Sequence, residues 1–104
     1  MADQKQPNIN IDLEIDRLVH EPVRLKILAY LSEVESADFV FLVSRLGLTM
    51  GNLSAHISKL QEAGYIKIEK SFKDNRPHTM ISRTALGEDA FSSYREGMLK
   101  LLQD

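Results

Sequence analysis

Apolar residues recur along this chain with two different periods, and the switch between them marks out its elements. Ile11, Ile15, Leu18 and Val19 step by four, three and one, which predicts a short helix over about 11–19. Pro22 then suits the first turn of a second helix, where its missing N–H costs nothing. That helix reads PVRLKILAYLSEV, with Val23, Ile27, Leu28 and Leu31 on one stripe. Ser36, Ala37 and Asp38 break the pattern and leave room for a small strand. Asp38 can cap a third helix, FVFLVSRL, which Gly47 ends in a left-handed conformation. Two residues later Thr49 can cap TMGNLSAHISKL by accepting from the N–H of Gly51 or Asn52, and this helix runs to about Ala63 before Gly64 stops it.

The period then changes to two. YIKIEKSF alternates apolar and polar residues and predicts a strand, KDNRP reads as a polar turn-rich loop, and HTMISRT returns as the partner strand. Thr84 caps a long final helix over about 85–102 that contains Leu86, Ala90, Phe91, Tyr94, Met98, Leu101 and Leu102. Two helices joined by a tight Gly-containing turn and followed by a hairpin describe a mainly α fold with a small β-hairpin wing (α+β), the winged helix-turn-helix. Residues 1–10 read as a flexible polar tail and 11–104 as a single domain.

Composition narrows the class. The 104 residues suffice for one compact domain, and 43% hydrophobic with 27% charged residues is a globular balance. No apolar run approaches the roughly 18 residues of a membrane span, and the N-terminus lacks the apolar stretch of a signal peptide, so a cytoplasmic, nucleoid-associated protein is expected. The absence of cysteine excludes disulfides and thiolate metal sites. His20, His56 and His78 are dispersed without metal-ligand spacing, so neither a metal nor a cofactor is expected.

Net charge is −2, which taken alone argues weakly against a nucleic-acid partner. Its distribution argues the other way. Residues 1–43 carry four Lys/Arg against eight Asp/Glu, residues 84–104 two against four, but residues 44–83 carry seven against three. The basic middle coincides with the helix-turn-helix and its wing, where local potential counts for more than the total.

The helix in that middle segment has an unusual outer face. At 100° per residue Met50, Leu53, Ile57 and Leu60 fall within roughly 80° and form its packing stripe. Opposite lie Gly51, Asn52, Ala55, Ser58, Lys59 and Glu62, with Ser54 and His56 on the flanks. A merely solvated face would carry several long charged residues, whereas this one includes a glycine that costs roughly 1 kcal/mol of helix stability. Small side chains let a helix sink into a major groove, where Asn pairs with adenine, Ser bonds bases or phosphates and Ala meets a thymine methyl. Lys59 is placed for a phosphate, and at the wing tip Lys73, Asn75 and Arg76 are placed over the adjacent minor groove or backbone.

LGLTMGNLSAHISKLQEAGYIKIEKSF, continued by SRTALG, resembles the winged helix-turn-helix of prokaryotic MarR- and ArsR-type transcriptional regulators, most of all the small MarR-like winged-helix DNA-binding group. The pattern T-x-G-N-L-S-x-H-x-x-x-L-x-x-A-G-Y is matched at Thr49, Gly51, Asn52, Leu53, Ser54, His56, Leu60, Ala63, Gly64 and Tyr65, and PVRLKILAYL is similar to the group's first core helix. The resemblance spans about residues 20–90. It implies a sequence-specific regulator of double-stranded DNA, expected to act as a repressor. Its recognition helix would present Thr49, Met50, Gly51, Asn52, Ser54, Ala55, His56, Ser58 and Lys59, with the wing over residues 71–78. It also implies a homodimer built from the terminal helices, through Ile11, Ile15, Leu18, Phe91, Tyr94, Met98, Leu101 and Leu102. The effector that would release such a protein from DNA has no signature in the chain.

Two other classes of function compare with this one as follows. Asp12, Glu14 and Asp16 are better read as a charged helix face than as an acid cluster, and no phosphate loop, HExxH or nucleophile motif is present, so an enzyme is not expected. A winged-helix module used for protein contacts is the alternative, since a fold does not dictate its use.

Overall fold

The computed structural model describes residue 11 and residues 13–103; the tail expected over 1–10 lies outside the described residues. The element order is α1 (Pro22–Val34), β1 (Ser36–Asp38), α2 (Phe39–Leu46), α3 (Met50–Glu62), β2 (Ile66–Lys73), β3 (Arg76–Arg83) and α4 (Ala85–Leu102). These helices and the three-stranded antiparallel sheet, ordered β1-β3-β2, make the expected winged-helix α+β fold.

Local chemistry explains the boundaries. Glu21 accepts from the N–H of Arg24 and caps α1 with Pro22 in its first turn, while Asp38, Thr49 and Thr84 accept from Phe41, Asn52 and Gly87 to cap α2, α3 and α4. Gly47 ends α2 with φ 66°. The core joins Val19, Ile27, Leu28, Leu31 and Leu42 to Leu53, Ile57 and Leu60 of α3 and Ile66 and Ile81 of the sheet. One close approach fixes the start of α4. Thr84 donates its N–H to the Tyr65 carbonyl at 3.1 Å and its hydroxyl to the Gly64 carbonyl at 2.6 Å. A Cβ at Gly87 would lie 2.0 Å from the Tyr65 carbonyl oxygen, so only glycine fits there.

Three expectations are corrected. The helix over 11–19 is absent among its described residues: 13–16 are irregular and 17–19 form a turn. Asp16 is the reason, because its Oδ1 accepts from the N–H groups of Leu18 (2.9 Å) and Val19 (3.3 Å) and so competes with helical bonding. Its Oδ2 meanwhile accepts from the Tyr65 hydroxyl at 2.6 Å, an anchor that a helix this short cannot outweigh. The loop KDNRP is mostly strand: Lys73 pairs with Arg76, and the turn is Asp74-Asn75, with φ 54° and 63°. Two successive left-handed residues give the turn that matches strand twist, and Asp and Asn tolerate that conformation. Finally, Met50 does not share the packing stripe; it is 58% exposed in the first turn of α3, beside an open groove.

Candidate nucleic-acid interface

α3 is held from behind and free in front. Leu53, Ile57 and Leu60 are buried, whereas Gly51, Asn52, Ser54, Ala55, Ser58 and Lys59 are all exposed. No heavy atom lies within 4 Å of where a Gly51 Cβ would stand. Thr49 is also exposed, with its hydroxyl accepting from the Asn52 N–H at 3.0 Å, so the first turn is pinned while the Asn52 side chain points away from the core.

His56 differs from its neighbours. It is half-buried, and its Nδ1 lies 3.1 Å from an Arg24 guanidinium nitrogen and 3.7 Å from Glu21 Oε1. A guanidinium only donates, so Nδ1 accepts and the ring proton sits on Nε2. Arg24 is itself buried and donates through Nε to the Leu18 carbonyl at 2.6 Å. His56 therefore locks α3 to α1 and to the segment before it, which sets the angle at which the small face is presented.

The wing is braced at its root. His78 Nε2 lies 3.3 Å from Asp38 Oδ1, and the other oxygen of Asp38 accepts from Phe41 N–H at 3.0 Å. One carboxylate thus ties β3 to the N-terminus of α2. Beyond it Lys73, Asn75 and Arg76 are exposed at the tip. An open groove of about 720 Å³ runs between the wing and the first turns of α2 and α3, lined by Val40, Met50, Lys73, Arg76 and Pro77 among others. Met50 at the start of α3 and the wing tip thus border one groove.

The basic middle is not entirely part of it. Arg83 points inward, donating to the Leu31 and Ser32 carbonyls at 2.9 and 2.8 Å and approaching Glu88 at 3.8 Å, where it closes the C-terminus of α1. Arg45 lies over the Phe41 ring, 5.7 Å from its centroid. Lys59, Lys67, Lys70, Lys73 and Arg76 remain exposed on α3 and the hairpin. No group of three or more potential metal ligands occurs among the described residues, and no helix there is long and apolar enough to cross a membrane.

The residues expected at a dimer interface divide. Leu18, Phe91 and Tyr94 pack against the core of their own chain, and the Tyr94 hydroxyl lies 2.8 Å from His20 Nδ1. Ile15, Met98 and Leu101 are half-buried, and Ile11 and Leu102 are 79% and 71% exposed. Three features of this surface lie outside the sequence reading: the Arg24–Glu21 support behind His56, the Asp38–His78 brace, and the exposed Phe72 near the wing tip. Only the last had a visible signal, an aromatic side chain in a basic hairpin.

Comparison with known proteins agrees with this geometry. An uncharacterized protein of Methanocaldococcus jannaschii is 39% identical over 85 residues, covering 82% of this chain and 92% of that one. The structure of a transcriptional regulator homologue from Pyrococcus horikoshii OT3 is similar with a TM-score of 0.75 and 31% identity, over 80% of this chain and 82% of that one. Overoxidized AbfR bound to DNA shares the fold, with a TM-score of 0.70 and 20% identity over 85% of this chain and 66% of that one. The family model for the winged helix DNA-binding domain matches residues 23–102, and the chain belongs to that family.

Proposed function

We propose that the protein is a sequence-specific transcriptional regulator that binds double-stranded DNA as a homodimer, with α3 in the major groove and the wing on the neighbouring minor groove or backbone, and that it represses by occupying its site. The observation that carries this reading is the exposed face of α3, made of Gly51, Asn52, Ser54, Ala55, Ser58 and Lys59, on a helix whose opposite side is anchored in the core. Asn52 and Ser54 are the candidate base readers, Lys59 and Lys73 phosphate contacts, and Arg76 the minor-groove probe. The neighbours that are transcriptional regulators, and the DNA bound to AbfR, support the same direction.

The dimer is supported by α4. Its apolar contacts with the core end at Tyr94, yet Met98, Leu99, Leu101 and Leu102 continue the apolar run, with Leu99 59% exposed. Mobility-shift selection on genomic fragments at several salt concentrations tests the reading. Affinity should fall steeply between 50 and 200 mM salt, on the order of a hundred-fold or more for several phosphate contacts. Asn52→Ala and Ser54→Ala should relax sequence preference, whereas Arg76→Ala should weaken all duplexes alike. Salt-independent retention, or no retained fragment, would favour the protein-contact module instead.

A further inference from the structure

Phe72 is 77% exposed, the most exposed aromatic side chain among the described residues. It occupies a defined place in the wing. Side chains alternate along a strand, so Phe72 shares a face of β2 with Ile66 and Ile68, which pack into or against the core. On β3 the facing residues are Ile81 opposite Ile68, Thr79 opposite Lys70 and Pro77 opposite Phe72. The core face of the sheet therefore continues beyond the helices as a narrow ridge ending in the Phe72–Pro77 pair. Four residues at about 3.3 Å each carry that ring roughly 13 Å past Ile68.

The ridge is stiff and its surroundings are basic. The two-residue turn at Asp74-Asn75 leaves no slack between the strands; Lys70 shares the face of the Phe72–Pro77 pair, and the adjacent Lys73–Arg76 pair projects from the opposite face of the tip. A polar residue at position 72 would cost the isolated hairpin little packing, and an exposed aromatic ring on an edge strand invites unwanted association. The ring calls for a partner that is anionic around an apolar target. A duplex meets that description: its phosphates flank the minor groove, and apolar side chains carried there by a basic element wedge between base steps and bend the helix.

We propose that Phe72, backed by Pro77, is a minor-groove wedge that partly unstacks one base step beside the site read by α3. The proposal rests on the DNA-binding reading above. It adds a prediction that binding alone does not make, namely that bound DNA is locally unstacked and prefers a deformable step, such as TA or CA, under the wing.

The test uses the full chain and duplexes recovered by genomic selection, with 2-aminopurine substituted at successive adenines flanking the site bound by α3. Wild-type protein should raise fluorescence at one step, and circularly permuted fragments should show a bend centred there. Phe72→Ala should abolish the fluorescence rise, reduce the bend and weaken binding about ten-fold; Phe72→Leu should retain much of each. Because the side chain is exposed, the melting temperature of Phe72→Ala should stay near wild type, which separates the outcome from misfolding. Tight, salt-sensitive binding with the same fluorescence and bend in Phe72→Ala would overturn the wedge and leave the DNA reading standing. Failure of the wild-type protein to bind any duplex would overturn both. Unchanged DNA binding by Phe72→Ala, together with lost co-sedimentation on phosphatidylglycerol vesicles, would reassign the ring to an anionic lipid surface and refute the proposal.

Discussion

Gly51 allows the proposed role of α3 to be tested with a single methyl group. It occupies the second position of α3, its φ is not positive, and a Cβ there would meet nothing within 4 Å. Within the protein, then, alanine fits without strain. Replacing a helical glycine by alanine stabilises by roughly 0.5–1 kcal/mol, since less backbone entropy is lost on folding. For a domain of this size that corresponds to about 2–8 °C in melting temperature, compared at fixed protein concentration because a dimer melts in a concentration-dependent way. DNA binding should move in the opposite direction. If α3 approaches the groove over Gly51, the added methyl group overpacks that contact by roughly 1–3 kcal/mol. Affinity for the selected duplex should fall about ten-fold to a hundred-fold. Thermal melting followed by circular dichroism and fluorescence-anisotropy titration of one duplex read the two effects on the same sample. A raised melting temperature with unchanged affinity would refute the close approach at Gly51. A lowered melting temperature would refute the view that the glycine is unneeded by the fold.

Gly87→Ala should do the reverse of a stabilising substitution, because its Cβ would meet the Tyr65 carbonyl oxygen at 2.0 Å, closer than any real contact. Overpacking against backbone costs about 1–3 kcal/mol and occasionally more, measurable as a lowered urea midpoint; an unchanged midpoint would mean that α4 can move off at no cost. Tyr65 makes stability depend on pH at the alkaline end. Its hydrogen bond to Asp16, then burial, then the charge of that carboxylate push its pKa up from 10.0 to about 12. The folded state therefore keeps a proton that the unfolded chain loses, so this contribution is complete below pH 10 and disappears as pH rises towards 12. Tyr65→Phe should flatten that part of the stability profile, and an identical profile in the variant would refute the assignment. Leu99→Glu with Leu102→Glu should convert a dimer to a monomer by light scattering at micromolar concentration and reduce DNA affinity with it, since burying each leucine is worth about 1.5–3 kcal/mol; an unchanged mass would place the interface elsewhere.

Elements whose ends are determined locally were legible in the sequence. Asp38, Thr49 and Thr84 each cap a helix through a bond only three residues long, and Gly47 ends α2 by its own backbone preference. The small face of α3 was legible for the same reason, since helical period alone sorts Leu53, Ile57 and Leu60 from Asn52, Ala55 and Ser58. What escaped depends on partners far along the chain. The period over 11–19 is helical, but Asp16 is claimed by Tyr65, 49 residues away. His56 has the spacing of a groove-facing flank, and only the position of Arg24, 32 residues earlier, turns its Nδ1 inward. Arg83 counts as basic in any tally of charge, yet it spends two donor contacts on carbonyls at the end of α1. A tally of local charge therefore overstates how much of the basic segment faces outward.

Gly51 and Gly87 show where folding stops explaining this sequence. Both sit near the start of a helix, in second and third positions that glycine disfavours, and both lack a positive φ. For Gly87 the fold supplies the reason, a backbone carbonyl that leaves no room for a methyl group. For Gly51 the fold supplies none: the space is empty, the helix would gain from alanine, and a Thr49 cap already pins the turn. A helix that gives up stability at an exposed position, while flanking it with Asn52, Ser54 and Ala55, fits the proposed close approach of a duplex groove. The same reasoning applies to Phe72 with the sign reversed, since there the chain carries more apolar surface than its own packing can use. One position lacks bulk and the other has a surplus. A single partner that presents a close-fitting groove to α3 and a deformable step to the wing accounts for both.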